Sequence, residues 1–151
     1  MISKTLSKLT ILIFLFSCSY QPIYSNKEYL FNFGKFNMSG SEKVNNVIKR
    51  KLENIKGQTI SYNIILESQV EKNVISNDNK GDPSMFELVI KSKYIIKENS
   101  ETLLNSKINK KVTYSNISDK FELSNYEDNL ISNLSNTIAE EILFSVSNKN
   151  K

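Results

Sequence analysis

The sequence has no histidine and no tryptophan, a single cysteine, two prolines and four glycines among its 151 residues. Without histidine the commonest acid–base group for neutral pH is missing. One cysteine can neither close an internal disulfide nor build a thiolate cluster around a metal. No glycine-rich phosphate loop and no metal-spaced ligand set occurs. Glu140 and Glu141, adjacent on a helical pattern, point in different directions and make a poor catalytic pair. A non-catalytic protein is expected, with no cofactor and no bound metal. Long apolar runs are missing too. Leu9 to Phe16 would reach only about 12 Å as a helix, less than half of a ~30 Å hydrocarbon core. The net charge is +4, and Lys4 and Lys8 leave about +2 on the rest, so no nucleic-acid partner is expected. Scarce Gly, Pro and Trp beside abundant Lys, Asn, Ile and Ser look like the codon bias of an AT-rich genome and say little about function.

What is present begins with an address. Lys4 and Lys8 give a basic start, Leu9 to Phe16 an apolar run, and small Ser17 stands before Cys18, the three parts of a secretory signal. Leu15 and Ser17 satisfy a lipobox, with an aliphatic residue three before the cysteine and a small one next to it. Acylation of Cys18 by several chains would anchor the mature protein stably, since each buried methylene adds about 0.8 kcal/mol. Residues 1–17 thus read as a lipoprotein signal peptide, 18–27 as a lipidated tether holding Pro22, 28–147 as one domain and 148–151 as a polar tail. The 134 residues after the signal suffice for one core and are too few for two comfortable ones.

Within that domain the hydrophobic period changes twice. Tyr29, Phe31 and Phe33 alternate with Leu30, Asn32 and Gly34, which predicts a first strand in which Gly34 bulges Phe36. Ser39 with Glu42, or Ser41, can cap a helix whose stripe is Val44, Val47, Ile48, Leu52 and Ile55, and Gly57 is placed to end it. From Ile60 the period is two. Ile60, Tyr62, Ile64, Leu66 and Val70 share one face, and Ser76 to Asp82 read as the loop before a strand with Phe86, Leu88, Ile90, Tyr94 and Ile96 inward. Leu104, Ile108, Val112 and Tyr114 are the inward set of a fourth strand. Ser124 and Glu127 form a capping box for a last helix striped by Tyr126, Leu130, Leu134, Ile138 and Ile142, widened by Ile131 and Val146. One greasy face on each element predicts an α+β two-layer sandwich: order β-α-β-β-β-α, with two helices packed on one face of a mainly antiparallel four-stranded sheet.

The opposite face carries Lys91, Lys93, Lys107 and Lys111. Directly paired residues share a face, so paired numbers on the third and fourth strands must sum to an even value. A three- or five-residue loop around Asn99-Ser100 satisfies this and a two-residue turn pairing Glu98 with Glu101 does not. Lys107 then lies opposite Lys91 or Lys93. Facing like charges are mildly destabilising, and a solvated face that discourages edge pairing is the plain explanation for them.

Two stretches carry a family likeness. Cys18-Ser19-Tyr20-Gln21-Pro22-Ile23-Tyr24 resembles the start of mature LptE-type lipopolysaccharide-assembly lipoproteins, with Ser19 where glycine is usual. Phe121-Glu122-Leu123-Ser124-Asn125-Tyr126-Glu127, followed by a helix containing Leu134-Ser135-Asn136-Thr137-Ile138-Ala139, resembles the far end of that family's chain. The resemblance implies the same β-α-β-β-β-α domain in an outer-membrane, lipid-anchored protein on the periplasmic side. It also implies a complex with an LptD-type β-barrel, contact with lipopolysaccharide, and Lys91, Lys93, Lys107 and Lys111 as candidates for the lipid's phosphates. The alternative is another small periplasmic lipoprotein, a barrel-assembly scaffold or a lipid carrier. A carrier should enclose a cavity, whereas a plug should have a filled core.

Overall fold

The computed structural model describes residues 29–57 and 59–149. The signal peptide, Cys18 and the tether therefore lie outside the described residues. In chain order come β1 (Phe31–Gly40), α1 (Glu42–Glu53), β2 (Ile60–Asn77), β3 (Pro83–Glu98), β4 (Glu101–Ser115) and α2 (Lys120–Lys149). The sheet order is β1-β2-β3-β4. β1 runs parallel to β2, as a strand must when a crossover helix returns the chain, and the other two pairings are antiparallel. The fold is thus the expected α+β sandwich on a mixed sheet. No helix among the described residues is long and apolar enough to cross a membrane.

The alternation places the core as expected. Tyr62, Ile64, Leu66, Ile90, Tyr94 and Ile96 are buried beneath Val44, Ile48 and Leu52 of α1 and Ile138, Ile142 and Val146 of α2. A second cluster joins Phe86, Leu88 and Tyr114 to Leu123 near the start of α2. Full burial of each large apolar side chain contributes roughly 1.5–3 kcal/mol, so the two-layer packing is the main source of stability. The bulged residue is Gly34 itself, where the β1–β2 register shifts between Phe33 and Lys35, and Phe36 is back in regular pairing opposite Ile64.

Five local expectations are corrected. α2 does not start at Ser124: its cap is Asp119, whose Oδ1 accepts from the backbone N–H of Phe121 at 2.8 Å and of Glu122 at 3.0 Å. A carboxylate that satisfies two orphan donors displaces a box one turn later, leaving Ser124 and Glu127 inside the helix and Tyr126 42% exposed. At its other end α2 runs through Asn148 and Lys149, into the stretch read as tail. Ser41 is the N-cap of α1 but makes no side-chain cap bond, and Gly57 does not end that helix, which closes at Asn54. Gly57 is small for another reason: a Cβ there would sit 2.1 Å from the Phe31 carbonyl oxygen. Finally, the β3–β4 turn is the two-residue Asn99-Ser100, with Glu98 opposite Glu101 and Asn99 at φ 54°, the left-handed conformation that tight hairpins favour. Parity is restored just beyond it, because Lys97 pairs with Thr102 but Ile96 with Leu104, leaving Leu103 as an extra, bulged residue.

The β1–α1 corner is pinned to β2 by a polar knot of Asn45 and Ser68, both buried. Asn45 Nδ2 donates to the Ser39 carbonyl at 3.0 Å, and the Ser68 hydroxyl donates to Asn45 Oδ1 at 2.7 Å. The Ser41 N–H donates to the Ser68 carbonyl at 2.9 Å. Gly40 turns the corner at φ +89°, where an added Cβ would lie 1.8 Å from the Ser68 carbonyl oxygen.

Candidate functional site

The helices cover one face of the sheet, so any extended binding surface of the sheet is the other. Its residues are the odd-numbered positions of β2, β3 and β4, set there by the same alternation that buries the even ones. All four candidate lysines are exposed on it. The register divides them. Lys91 reaches both carboxylate oxygens of Glu71 at 2.7 Å, and Lys111 reaches Glu87 at 3.0 Å. Lys93 and Lys107 instead stand directly opposite one another, which places their Cβ atoms about 5 Å apart. Among the described residues neither makes an ion pair.

Around that pair lies an open groove of about 320 Å³, lined by Glu67, Gln69, Lys91, Lys93, Lys107 and Asn109 together with Ser68 and Ser92. Glu67 faces Lys93 across the β2–β3 pairing, so the row Glu67, Lys93, Lys107 crosses three strands in register. The row carries one net positive charge, two ammonium groups and one carboxylate. Asn109 and Gln69 add neutral hydrogen-bonding groups beside it. Chemically this is a surface for an anionic, oxygen-rich group. The alternation alone put Glu67, Glu71 and Glu87 on this face. Which lysine each would neutralise depends on pairing and diagonal reach, which sequence does not disclose.

Edge protection does not account for the whole set. β3 is an interior strand, so Lys91 and Lys93 guard no edge, whereas Lys107 and Lys111 on β4 can. The helix side has its own charge pairs. Lys43 meets Asp128 and Lys51 meets Glu140 between the helices, and Lys110 meets Glu141 between β4 and α2. Glu127 takes both Lys72 at 2.5 Å and the Tyr114 hydroxyl at 2.7 Å, while Lys72 lies 4.1 Å from the centre of the Phe86 ring. Burial, then the hydrogen bond to Glu127 and its charge, push the Tyr114 phenol well above its usual range.

A helix-backed, four-stranded mixed sheet with a polar open face defines the class of fold, and solved structures share it. The rare lipoprotein B of Shewanella oneidensis superposes with a TM-score of 0.58 at 15% identity, over 78% of this chain and 96% of that one. The uncharacterized lipoprotein B of Nitrosomonas europaea superposes with a TM-score of 0.59 at 13% identity, over 81% of this chain and 88% of that one. No family model and no curated protein sequence matches the chain. At these identities the likeness establishes the fold, and the fold is one that lipoproteins use.

Proposed function

We propose that the protein is a non-catalytic outer-membrane lipoprotein, anchored through acyl chains on Cys18, that forms a complex with an LptD-type β-barrel and assists lipopolysaccharide on its way to the surface. The observation that carries this reading is the Lys93–Lys107 opposition on the helix-free face, where neither lysine makes an ion pair among the described residues. Two facing cations on a sheet are mildly unfavourable by themselves and become favourable when an anionic headgroup lies between them. The lipobox at Cys18, the likeness of Cys18 to Tyr24 and of Phe121 to Ala139 to the LptE-type family, and the fold shared with two lipoproteins support it. Large side chains fill both layers, with Tyr62 and Tyr94 at or below 1% exposure, which suits a plug better than a lipid carrier.

The test is affinity purification of the tagged full-length protein from its native outer membrane. A large β-barrel co-purifying in stoichiometric amount is the expected result, and its absence under mild detergent refutes the complex. For the lipid, Lys93→Glu with Lys107→Glu should abolish lipopolysaccharide binding, whereas Lys49→Glu with Arg50→Glu on the helix side should leave it nearly intact. Equal loss in both would mean nonspecific attraction only.

A further inference from the structure

On the reading that the lysine groove takes phosphate groups, we propose that Glu67 is its exchangeable counter-ion: a resident carboxylate that competes with a bound phosphate for Lys93 and so promotes release. The geometry singles Glu67 out. Three carboxylates on this face lie near the candidate lysines, and two of them are engaged, Glu71 by Lys91 and Glu87 by Lys111. Glu67 stands directly opposite Lys93, in the groove itself, and among the described residues it makes no ion pair or hydrogen bond. Lys93 therefore has an anion within side-chain reach on one side and a like charge, Lys107, on the other.

Two arrangements of the same row follow. With the groove empty, the Lys93 ammonium can turn from Lys107 toward Glu67, which relieves the like-charge contact. With a phosphate present, Lys93 turns back and the two ammonium groups share its oxygens. Glu67 opposes the filled arrangement twice, by giving up Lys93 and by repelling the phosphate. A carboxylate some 7 Å from a partly solvated phosphate weakens binding on the order of three- to ten-fold. A site of that kind holds its ligand briefly, which suits a surface over which a phosphorylated molecule passes.

The experiment uses the full-length lipidated protein in neutral detergent, with phosphatidic acid as the phosphomonoester probe and bound lipid counted by native mass spectrometry. Glu67→Gln should tighten binding three- to ten-fold and slow release. Unchanged or weaker binding overturns the exchange role and leaves the groove in place. Glu87→Gln is the control, because it adds the same charge to the same face and frees Lys111 instead. It should change binding less than two-fold, and equal tightening would mean that only the overall charge of the face matters. Millimolar inorganic phosphate should displace the lipid from the wild-type protein more readily than from Glu67→Gln. Lipid that resists displacement from both would place the binding in acyl-chain contacts and refute the exchange. If wild-type protein holds phosphatidic acid no better than Lys93→Glu with Lys107→Glu, the groove itself is not a phosphate site, a failure separate from that of Glu67.

Discussion

Gly40 and Gly81 offer a matched pair for testing what holds the β1–α1 corner. Their φ angles are +89° and +88°, but a Cβ at Gly40 would lie 1.8 Å from the Ser68 carbonyl oxygen while at Gly81 it would meet nothing within 4 Å. The left-handed conformation costs an alanine about 1–2 kcal/mol at either site, less the fraction recovered from a stiffer unfolded chain. Gly81→Ala should therefore lose about 1 kcal/mol. Gly40→Ala must in addition push Ser68 away, which breaks the Ser41–Ser68 backbone bond of 2.9 Å and disturbs the Ser68–Asn45 bond of 2.7 Å. At about 1 kcal/mol per hydrogen bond, the total loss is about 3–4 kcal/mol. With a urea slope near 1.6 kcal/mol per M, the unfolding midpoint should fall by about 2 M for Gly40→Ala and about 0.6 M for Gly81→Ala. Circular dichroism of the mature chain reads both. Losses equal to within ~0.5 kcal/mol would show that the close approach to Ser68 carries no energy beyond the backbone angle, and the account of the corner would be wrong.

Other expectations can be checked as directly. Tyr114→Phe should cost about 1 kcal/mol at neutral pH, because the phenol donates to Glu127 while Lys72 still holds that carboxylate. The folded phenol binds its proton more tightly than the unfolded one, so its stabilising contribution is intact below the unfolded value near 10 and declines as pH rises beyond it. The wild type should accordingly lose stability above about pH 10 more steeply than Tyr114→Phe, and parallel curves would refute the coupling. Cys18→Ala should abolish metabolic labelling with a fatty acid and block signal-peptide processing; unchanged labelling would exclude the anchor. A version starting after Ser25 should fold, since the described core begins at Phe31, and on the proposed function it should still co-purify with a β-barrel. Loss of that association on loss of the lipid would argue against a large protein interface.

Elements governed by one period were legible; corners and registers were not. Val44, Ile48 and Leu52 of α1 and the inward apolar positions from Tyr62 to Leu66 and from Phe86 to Ile96 are buried as read; of the α2 stripe Ile138, Ile142 and the flanking Val146 are buried, Leu130 and Leu134 are half-buried and Tyr126 is exposed. Each is a one-body pattern in which face follows from position along the element. The start of α2 was misplaced because two caps competed, and only the structure shows Asp119 holding two backbone donors. The β3–β4 turn was excluded by a parity rule that is sound for a regular ladder. The ladder is irregular, and the single bulged residue Leu103 lets a two-residue turn coexist with even pairing over most of the strands. The burial of Asn45 and Ser68 is not legible in the sequence for a related reason. A polar residue on an apolar stripe reads as a flaw until its partner is known, and the partners are 23 residues apart.

The lysine face shows the same division and shifts the weight between two explanations. Face membership followed from alternation, and the Lys93–Lys107 opposition was one of two registers left open. A solvated face that deters edge pairing would be a complete explanation if the lysines lay on the outermost strands. Only Lys107 and Lys111 do, on the edge strand β4; Lys91 and Lys93 lie on β3, which is flanked by β2 and β4. Simple solubility would also be served by alternating charges, and around Lys91 and Lys111 that is what the chain has, each paired with a glutamate. At the centre of the same sheet the pattern breaks. Glu67 and Lys93 face one another without bonding, and Lys107 completes the row with a second positive charge. A cost of a few tenths of a kcal/mol to 1 kcal/mol is too small to unfold a domain, so stability alone neither removes such a row nor requires it. What distinguishes a ligand site from a tolerated irregularity is therefore the sign of the response to substitution. Neutralising Lys93 in a tolerated irregularity stabilises the empty protein and changes nothing else. Neutralising it in a working groove stabilises the empty protein and weakens its hold on phosphate.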